Sequence, residues 1–495
     1  MKNFSAVLAR EWLGNVRIDC LSGLVVAFAL IPEAIGFSVV AGVDPKVGLY
    51  ASVVIACVIA FTGGRVAMIS AATASTAVLM GGLVHSHGVQ YLFAATVLMG
   101  LFQILAGFLR LDRLMRFVSR SVITGFVNAL AILIFLAQLP QLVHVPVATY
   151  ALIALGLAII YLLPRITRAV PSALVAVVVL TIVTAMFGVH VRTVASLGQL
   201  PSALPQFGIP QVPFTLATLW LLLPLSLALA AVGLLETQLT AQIVDDMTDT
   251  PSDKSRECAG QGIANIASAF FGGMGGCAMI GQSVINVTSG GRGRLSTLVS
   301  GVFLLVLLVA MQHLLALVPV AALTAVMIMV SINTFSWRSL KQLRTNPKTS
   351  SAVMLATVIV VVSTGNLSAG VLVGVLMSGV FFASKVSRLS SVTSRLSENG
   401  EEQVFHVTGQ IFFASAGTLT NDVHVMAPSV RRIVIDLTHA HFWDISAIGA
   451  LDTVVMKERR RGIEVSVVGL NEASATMVER YGIHGKADAQ MLKVE

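Results

Sequence analysis

Between residues 21 and 384 the chain reads as a succession of apolar runs broken by short polar loops. Most runs approach the ~20 residues that a helix needs to cross the hydrocarbon core of a bilayer. They predict helices near 21–40, 47–63, 66–84, 91–109, 118–138, 148–163, 170–188, 216–240, 258–273, 277–290, 295–315, 317–334, 350–364 and 367–384, several of them short. The strict alternation of a membrane β-barrel is missing. From residue 387 the pattern changes. A serine-rich, charged stretch at 387–402 reads as a mobile linker. Strands are expected beyond it at 405–413, 432–437 and 464–468, with helices at 445–460 and 473–481, as in a small soluble α/β domain. The expected division is a transmembrane domain at 1–386, a linker at 387–402 and a C-terminal domain at 403–495, long enough for a modest core of its own.

Composition strengthens the membrane reading. Hydrophobic residues make up 56% of the chain and charged residues only 11%, and the mean hydropathy is +0.87, too apolar for a soluble domain of this size. Residues 1–19 are polar and lead directly into the first span, so a retained, cytoplasmic amino terminus is expected in place of a cleaved leader. The net charge of +8 does not imply a nucleic-acid partner, because the basic residues are scattered among loops and form no stripe. Cys20, Cys57, Cys258 and Cys277 show no metal-ligand or disulfide spacing and read as small packing residues.

Charge also sets orientation. Counted from a cytoplasmic amino terminus, the alternating loops place Arg65, Arg110, Arg113, Arg116, Arg120, Arg165, Arg168, Arg292, Arg294, Arg338, Lys341, Arg344 and Lys348 inside and only Lys46 and Arg192 outside. An even number of spans returns the carboxyl end to the cytoplasm. Seven spans at 16–190 and seven more at 212–385 give halves of opposite orientation, which is the arithmetic of an inverted repeat. The loop at 189–213, with Pro201, Pro205, Pro210 and Pro213, reads as an external connection.

Glu33 and Glu236 are acidic residues well inside apolar runs, at 24–38 and 227–241, that look alike. A carboxylate in hydrocarbon is costly, so each is a candidate to carry a proton or hold a cation, or else a structural carboxyl bonded to neighbouring helices. Pro32 favours a kink beside Glu33, and Thr240 lies one turn beyond Glu236, where it could share a ligand. The third and tenth runs are rich in small residues and begin at Ser70, Ala71, Ala72 and Thr73, and at Cys277, Ala278, Met279, Ile280, Gly281 and Gln282 after the glycines of 272–276. Helices that start inside the bilayer point free N–H groups and positive dipole ends at an anion; close helix packing by small residues is the alternative. The glycine run lacks the Lys and Ser/Thr of a phosphate-binding loop. Asp245, Asp246, Asp249, Asp253 and Glu257 lack the spacing of a calcium loop and read as a solvated helix end. His85 and His87 receive no role.

Several of these segments, taken together, carry a resemblance. Leu30-Ile31-Pro32-Glu33-Ala34-Ile35-Gly36-Phe37-Ser38, Leu235-Glu236-Thr237-Gln238-Leu239-Thr240-Ala241 and Gln261-Gly262-Ile263-Ala264-Asn265-Ile266 with Phe271-Gly272-Gly273 resemble the sulfate permease family of anion transporters, known in animals as solute carrier family 26. So does Ser283-Val284-Ile285-Asn286 leading into Gly290-Gly291-Arg292-Gly293-Arg294-Leu295-Ser296, and 407–416 looks like the start of that family's cytoplasmic STAS domain. The likeness spans nearly the whole chain.

The resemblance implies an all-α polytopic membrane protein of about fourteen helices in a seven-plus-seven inverted repeat, with core and gate domains, followed by the STAS domain. It implies a homodimer in the cell (inner) membrane, working by elevator-type alternating access, with both termini cytoplasmic. Substrate is expected between the starts of the third and tenth helices, at Ser70, Ala71, Ala72 and Thr73 and at Cys277, Ala278, Met279, Ile280, Gly281 and Gln282, with Glu33 and Glu236 beside it. This chain has Glu33 where many relatives have Gln, and Gln282 where several animal relatives have Arg. An acid gained and a fixed cation lost point to proton-coupled uptake, with the proton relieving repulsion. Sodium coupling, an uncoupled channel and a sensor signalling through the STAS domain are the alternatives; nucleobase permeases share the membrane fold but generally lack the STAS tail. The family's sulfate, bicarbonate and C4-dicarboxylates such as fumarate are candidate anions, with a slight preference for a dicarboxylate that enters partly protonated. No cofactor is expected beyond the coupling ion, and no enzyme activity, since no nucleophile–base pair emerges. Ser446, in the loop where related anti-sigma-factor antagonists carry a phosphorylatable serine, is a candidate for modification or simply a helix-start residue, and the STAS domain a candidate docking point for a cytoplasmic protein.

Overall fold

The computed structural model describes residues 11–111, 113, 118–167, 171–200, 203–425 and 427–484. The ends of the expected domains at 1–10 and 485–495, together with Arg116, Arg168 and Pro201, lie outside the described residues. Two compact units emerge, Met1–Val375 and Leu376–Glu495.

The first unit begins with α1 (Val16–Ala41), which stops at Gly42, whose left-handed φ of 70° suits glycine. Helix α2 (Pro45–Thr62) starts with proline in its first turn, where a missing N–H costs nothing. A three-residue strand β1 (Ser70–Ala72) then feeds α3 (Ala74–His87), α4 (Val89–Phe108), α5 (Arg120–Gln138), α6 (Val147–Ile166) and α7 (Ser172–Met186). The same order returns in α8 (Leu216–Thr248), α9 (Lys254–Phe270), strand β2 (Gly276–Ala278), α10 (Ile280–Thr288) and α11 (Arg294–Ala310). After these come the short α12 (Gln312–Ala316), then α13 (Val320–Thr334), the surface helix α14 (Trp337–Thr345), α15 (Lys348–Thr364) and α16 (Leu367–Ser387). Among the described residues, eight helices are long and apolar enough to cross a membrane, and α7, α11 and α15 are shorter apolar helices. Helices α3 and α10, of 14 and 9 residues, are short because the chain before each runs as extended strand.

Helices α1, α2, α4, α8, α9 and α11 pack together, and α5, α6, α13 and α15 form a second group. Lipid supplies no hydrophobic drive for joining helices, so close approach of small residues matters. At the crossing of α4 and α9, a Cβ on Gly100 would lie 2.5 Å from the Gly262 carbonyl oxygen, and one on Gly262 would lie 2.4 Å from that of Gly100. Only glycine permits two backbones to meet this closely. Large side chains such as Leu30, Ile35, Leu49, Ile55, Met99 and Ile134 fill the interior, while Phe214, Trp220 and Phe382 are exposed, as apolar groups facing lipid are.

The second unit carries a four-stranded sheet in the order β3–β4–β5–β6, from Ser391–Leu396, Glu402–Ile411, Arg432–Phe442 and Glu464–Val468. The β3–β4 pair is antiparallel and the other two are parallel. Helices α17 (Ala416–Asp422), α18 (Ile445–Arg460) and α19 (Glu472–Tyr481) accompany it, over a core that includes Phe405, Ile435, Phe442 and Leu451. The reading of 387–402 as a mobile linker is corrected here: β3 lies inside it, hydrogen-bonded along β4 from Ser391↔Thr408 to Leu396↔Gln403. Its side chains stay largely outside the core, so polar residues suffice for an edge strand and the apolar pattern gave no sign of it.

Candidate functional site

Strands β1 and β2 pair antiparallel, with Ser70 opposite Ala278, Ala71 opposite Cys277 and Ala72 opposite Gly276. Helix α3 leaves one end of this ladder after Thr73, and α10 leaves the other after Met279. Neither residue caps its helix with a side chain. The first-turn N–H groups of both helices therefore start beside one small ladder with no side-chain cap, where the dipoles favour negative charge.

Buried polar side chains hold the ladder in place. The Gly276 N–H donates to Asn265 Oδ1 at 2.8 Å, and the Gly276 carbonyl accepts from Asn265 Nδ2 at 3.0 Å and Gln261 Nε2 at 3.1 Å. Asn265 also donates to Gln103 Oε1 at 2.8 Å. The Ala278 N–H donates to the Thr237 hydroxyl at 3.2 Å, and the Ile69 N–H to the Ser283 hydroxyl at 3.0 Å. Side chains of α8, α9 and α10 thus hold the backbone of the ladder segments, and α4 joins them through the Asn265–Gln103 side-chain bond; such bonds fix geometry more tightly than apolar contact does.

The two glutamates occupy different settings. Glu236, on α8, accepts hydrogen bonds from the Ser75 hydroxyl and, at 3.0 Å, from the Cys277 thiol, so it joins the first turn of α3 to β2. Thr240 donates to the Glu236 carbonyl at 2.8 Å and reaches the Ala278 carbonyl at 3.4 Å, an internal bond and not a free ligand. Glu33, on α1 beside Pro32, is half-buried, with the Gln282 side chain as a neighbour of its carboxylate. Pro32 has no N–H for the Phe28 carbonyl, which loosens the helix one residue before Glu33.

Of the expected substrate residues, Ser70, Ala71, Ala72, Thr73, Cys277, Ala278, Met279 and Gln282 are buried, Ile280 is half-buried and Gly281 is exposed. A Cβ on Gly281 would meet no atom within 4 Å. Open space in the region therefore adjoins the first turn of α10. The Thr73 hydroxyl lies 3.1 Å from Cys277 Sγ and from the Thr76 hydroxyl, so Cys277 is more than a packing residue. The Ser70 hydroxyl is buried with no hydrogen-bond partner among the described residues. Asn265, Gln103, Gln261 and Thr237 were not expected as site residues. Their signal in the sequence was the presence of amides and a hydroxyl inside membrane helices, where an unpaired polar group is costly.

The acidic cluster needs correcting at one member. Glu257 is fully buried: its Oε2 accepts the Gly64 N–H at 2.7 Å and the Arg65 N–H at 2.9 Å. Arg65 turns back to Asp245, 3.3 Å away, and donates to the Val244 carbonyl and to Thr248 and Thr250. The carboxylate closes off the loop before β1, a task that spacing along the chain could not reveal. Replacing Glu257 by Ala leaves two buried N–H groups unpaired, and the expected cost is roughly 2–4 kcal/mol. A drop in melting temperature of the detergent-solubilised protein checks this; unchanged melting would show the loop to be held by other contacts.

In the C-terminal unit, Ser446 is exposed in the first turn of α18, and Asp444 already caps that helix by accepting the Ala447 N–H at 3.0 Å. Among the described residues no cluster of three His, Cys, Asp or Glu side chains could hold a metal ion.

Comparison with known proteins gives these features a family. Residues 16–357 match the profile of the sulfate permease family, and residues 395–490 that of the STAS domain. A Bacillus subtilis (strain 168) protein named "Putative sulfate transporter YbaR" is 56% identical over 97% of this chain and 99% of its own length. The bicarbonate transporter BicA of Picosynechococcus is 25% identical over 92% of this chain and 89% of its own. Among solved structures, the transmembrane domain of a cyanobacterial BicA matches with a TM-score of 0.64 at 26% identity, over 73% of this chain and 97% of that one. Murine Slc26a9, an anion transporter solved in an inward-facing state, matches with a TM-score of 0.82 at 16% identity over 99% and 92%, a likeness of fold. The chain belongs to the sulfate permease family of anion transporters, as a multi-pass helical membrane protein followed by a STAS domain and not as an enzyme.

Proposed function

We propose that this protein takes up a small oxyanion together with a proton, by elevator-type alternating access, as a homodimer in the cell (inner) membrane with both termini cytoplasmic. Substrate sits against the first turns of α3 and α10, and Glu33 carries the proton. The observation that carries this reading is the uncapped pair of helix starts flanking β1 and β2, with Glu33 next to Gln282 and Gly281 open beside them. Two helix N-termini supply about one positive charge between them, and α3 and α10 contain no lysine or arginine. Two ionised glutamates would outweigh that charge, whereas protonation of Glu33 restores the balance as the anion arrives. Glu236, already joined to Ser75 and Cys277, positions the half-helices. The helices that pack around the ladder are the moving core, and the group containing α5, α6, α13 and α15 is the gate.

Sulfate is the first candidate anion, because the relative that is 56% identical carries that name; bicarbonate follows from BicA, and C4-dicarboxylates such as fumarate complete the panel. Purified protein in liposomes is expected to accumulate one of these anions faster at acidic external pH. Saturable counterflow is expected as well, and its absence would favour a channel. Equal uptake with and without an inward proton gradient would overturn proton coupling, and acceleration by a sodium gradient alone would replace it with sodium coupling.

A further inference from the structure

A cavity of ≈ 510 Å³ opens between the end of α4 and the start of α9, at the bundle end where the arginine-rich loops gather and away from the β1–β2 ladder. Its lining includes Arg110, Arg113, Lys254 and Arg256 and, among the described residues, one acid, Asp253. That acid is engaged: its Oδ1 accepts the Arg256 N–H at 3.0 Å as the cap of α9. The neighbouring cations meet neutral oxygens. Lys254 donates to the Gln242 side chain at 2.8 Å, and Arg256 to the Phe61 and Thr62 carbonyls at 3.2 and 3.3 Å. Arg110 has no ion-pair partner among the described residues. Like charges gathered round one opening repel each other unless an anion joins them.

The approach to the cavity is apolar. Leu101, Leu105 and Phe108 are 50%, 52% and 80% exposed. Their spacing places them on one face of α4, and that face ends at the cavity, which Phe108 lines. An apolar track along a membrane helix, ending in a basic cavity at headgroup level, is complementary to an amphiphile with an anionic head. Free phosphate would use the cations and leave the track without a role.

We propose that this cavity binds the phosphate headgroup of an anionic phospholipid, with its acyl chains lying along Leu101, Leu105 and Phe108. The lipid would bridge α4 and α9, the helices that meet at Gly100 and Gly262 and carry Gln103 and Asn265 to the ladder.

Full-length protein in detergent is titrated with phosphatidylglycerol, with phosphatidylcholine and with inorganic phosphate, and bound species are counted by native mass spectrometry. Phosphatidylglycerol is expected to be retained well above phosphatidylcholine. Joint replacement Arg110→Gln, Arg113→Gln and Lys254→Gln is expected to reduce that retention on the order of a hundredfold, whereas Arg110→Lys with Arg113→Lys keeps most of it and shows that the fold survives change here. An equal charge removal on the surface helix α14, Arg338→Gln with Lys341→Gln and Arg344→Gln, serves as control. Equal retention of the two lipids, or equal loss in the control, would reduce the cavity to general surface charge. Retention of inorganic phosphate without phosphatidylglycerol would overturn the lipid assignment.

Discussion

Replacing Glu33 by Gln is expected to uncouple uptake from protons: anion entry into liposomes should become nearly independent of the pH gradient, while the wild-type rate rises with it. The size of the effect follows from charge. A carboxylate beside a bound dianion repels it by several kcal/mol even at an effective dielectric near 20. Screening by water in an open cavity reduces that, so the wild-type response to acidification is expected on the order of tenfold to a hundredfold. Gln keeps the shape and the polar character beside Gln282 but cannot lose a proton. Glu33→Asp should retain the pH response at a lower rate. Glu236→Gln serves as the contrast, because the Glu236 carboxylate accepts from Ser75 and Cys277; its loss should lower uptake at every pH instead of flattening the profile. A Glu33→Gln protein that still responds fully to the gradient would move the proton site elsewhere.

Gly276→Ala should abolish transport although it adds one methyl group. A Cβ there would lie 2.0 Å from the Ala71 carbonyl oxygen and 2.6 Å from its carbon. Both are backbone atoms of the opposing strand, so no side chain can swing aside. The strands must separate, and Gly276 is also the residue whose N–H and carbonyl meet Asn265. Overpacking of this kind costs about 1–3 kcal/mol, and weakening the Asn265 bonds adds about 1 kcal/mol each. Uptake near background together with a lowered melting temperature is the expected outcome. Wild-type uptake from this variant would mean that the two helix starts need not be held in register. Gly281→Ala is the matched control, since its Cβ would meet open space, and it should fold normally.

Long-range hydrophobic pattern carried most of the architecture. Helix α18 and strand β6 run over the residues expected for them, because a helical period and a short β-rich run between turn residues are local signals. Strand β3 escaped notice because an edge strand with exposed side chains has no apolar period to read. Strands β1 and β2 escaped it because three residues are too few for any pattern, and what makes them strands is each other. Likewise Glu257 looks like its acidic neighbours along the chain but is buried against Gly64 and Arg65, nearly two hundred residues away.

By itself the sequence determined that the chain crosses a membrane many times, that a small α/β domain follows, and that two acids and two small-residue segments stand where polar chemistry is costly. These properties reside in composition and period, which neighbouring residues share. Tertiary structure alone decided how the two glutamates differ: both are half-buried, but Glu236 is bound to Ser75 and Cys277, whereas Glu33 has the Gln282 side chain for a neighbour near the open side of α10. The reason is physical. Whether a carboxyl acts as a strut or as a proton carrier depends on which donors and how much water reach its oxygens, and those neighbours come from segments forty to two hundred and fifty residues apart.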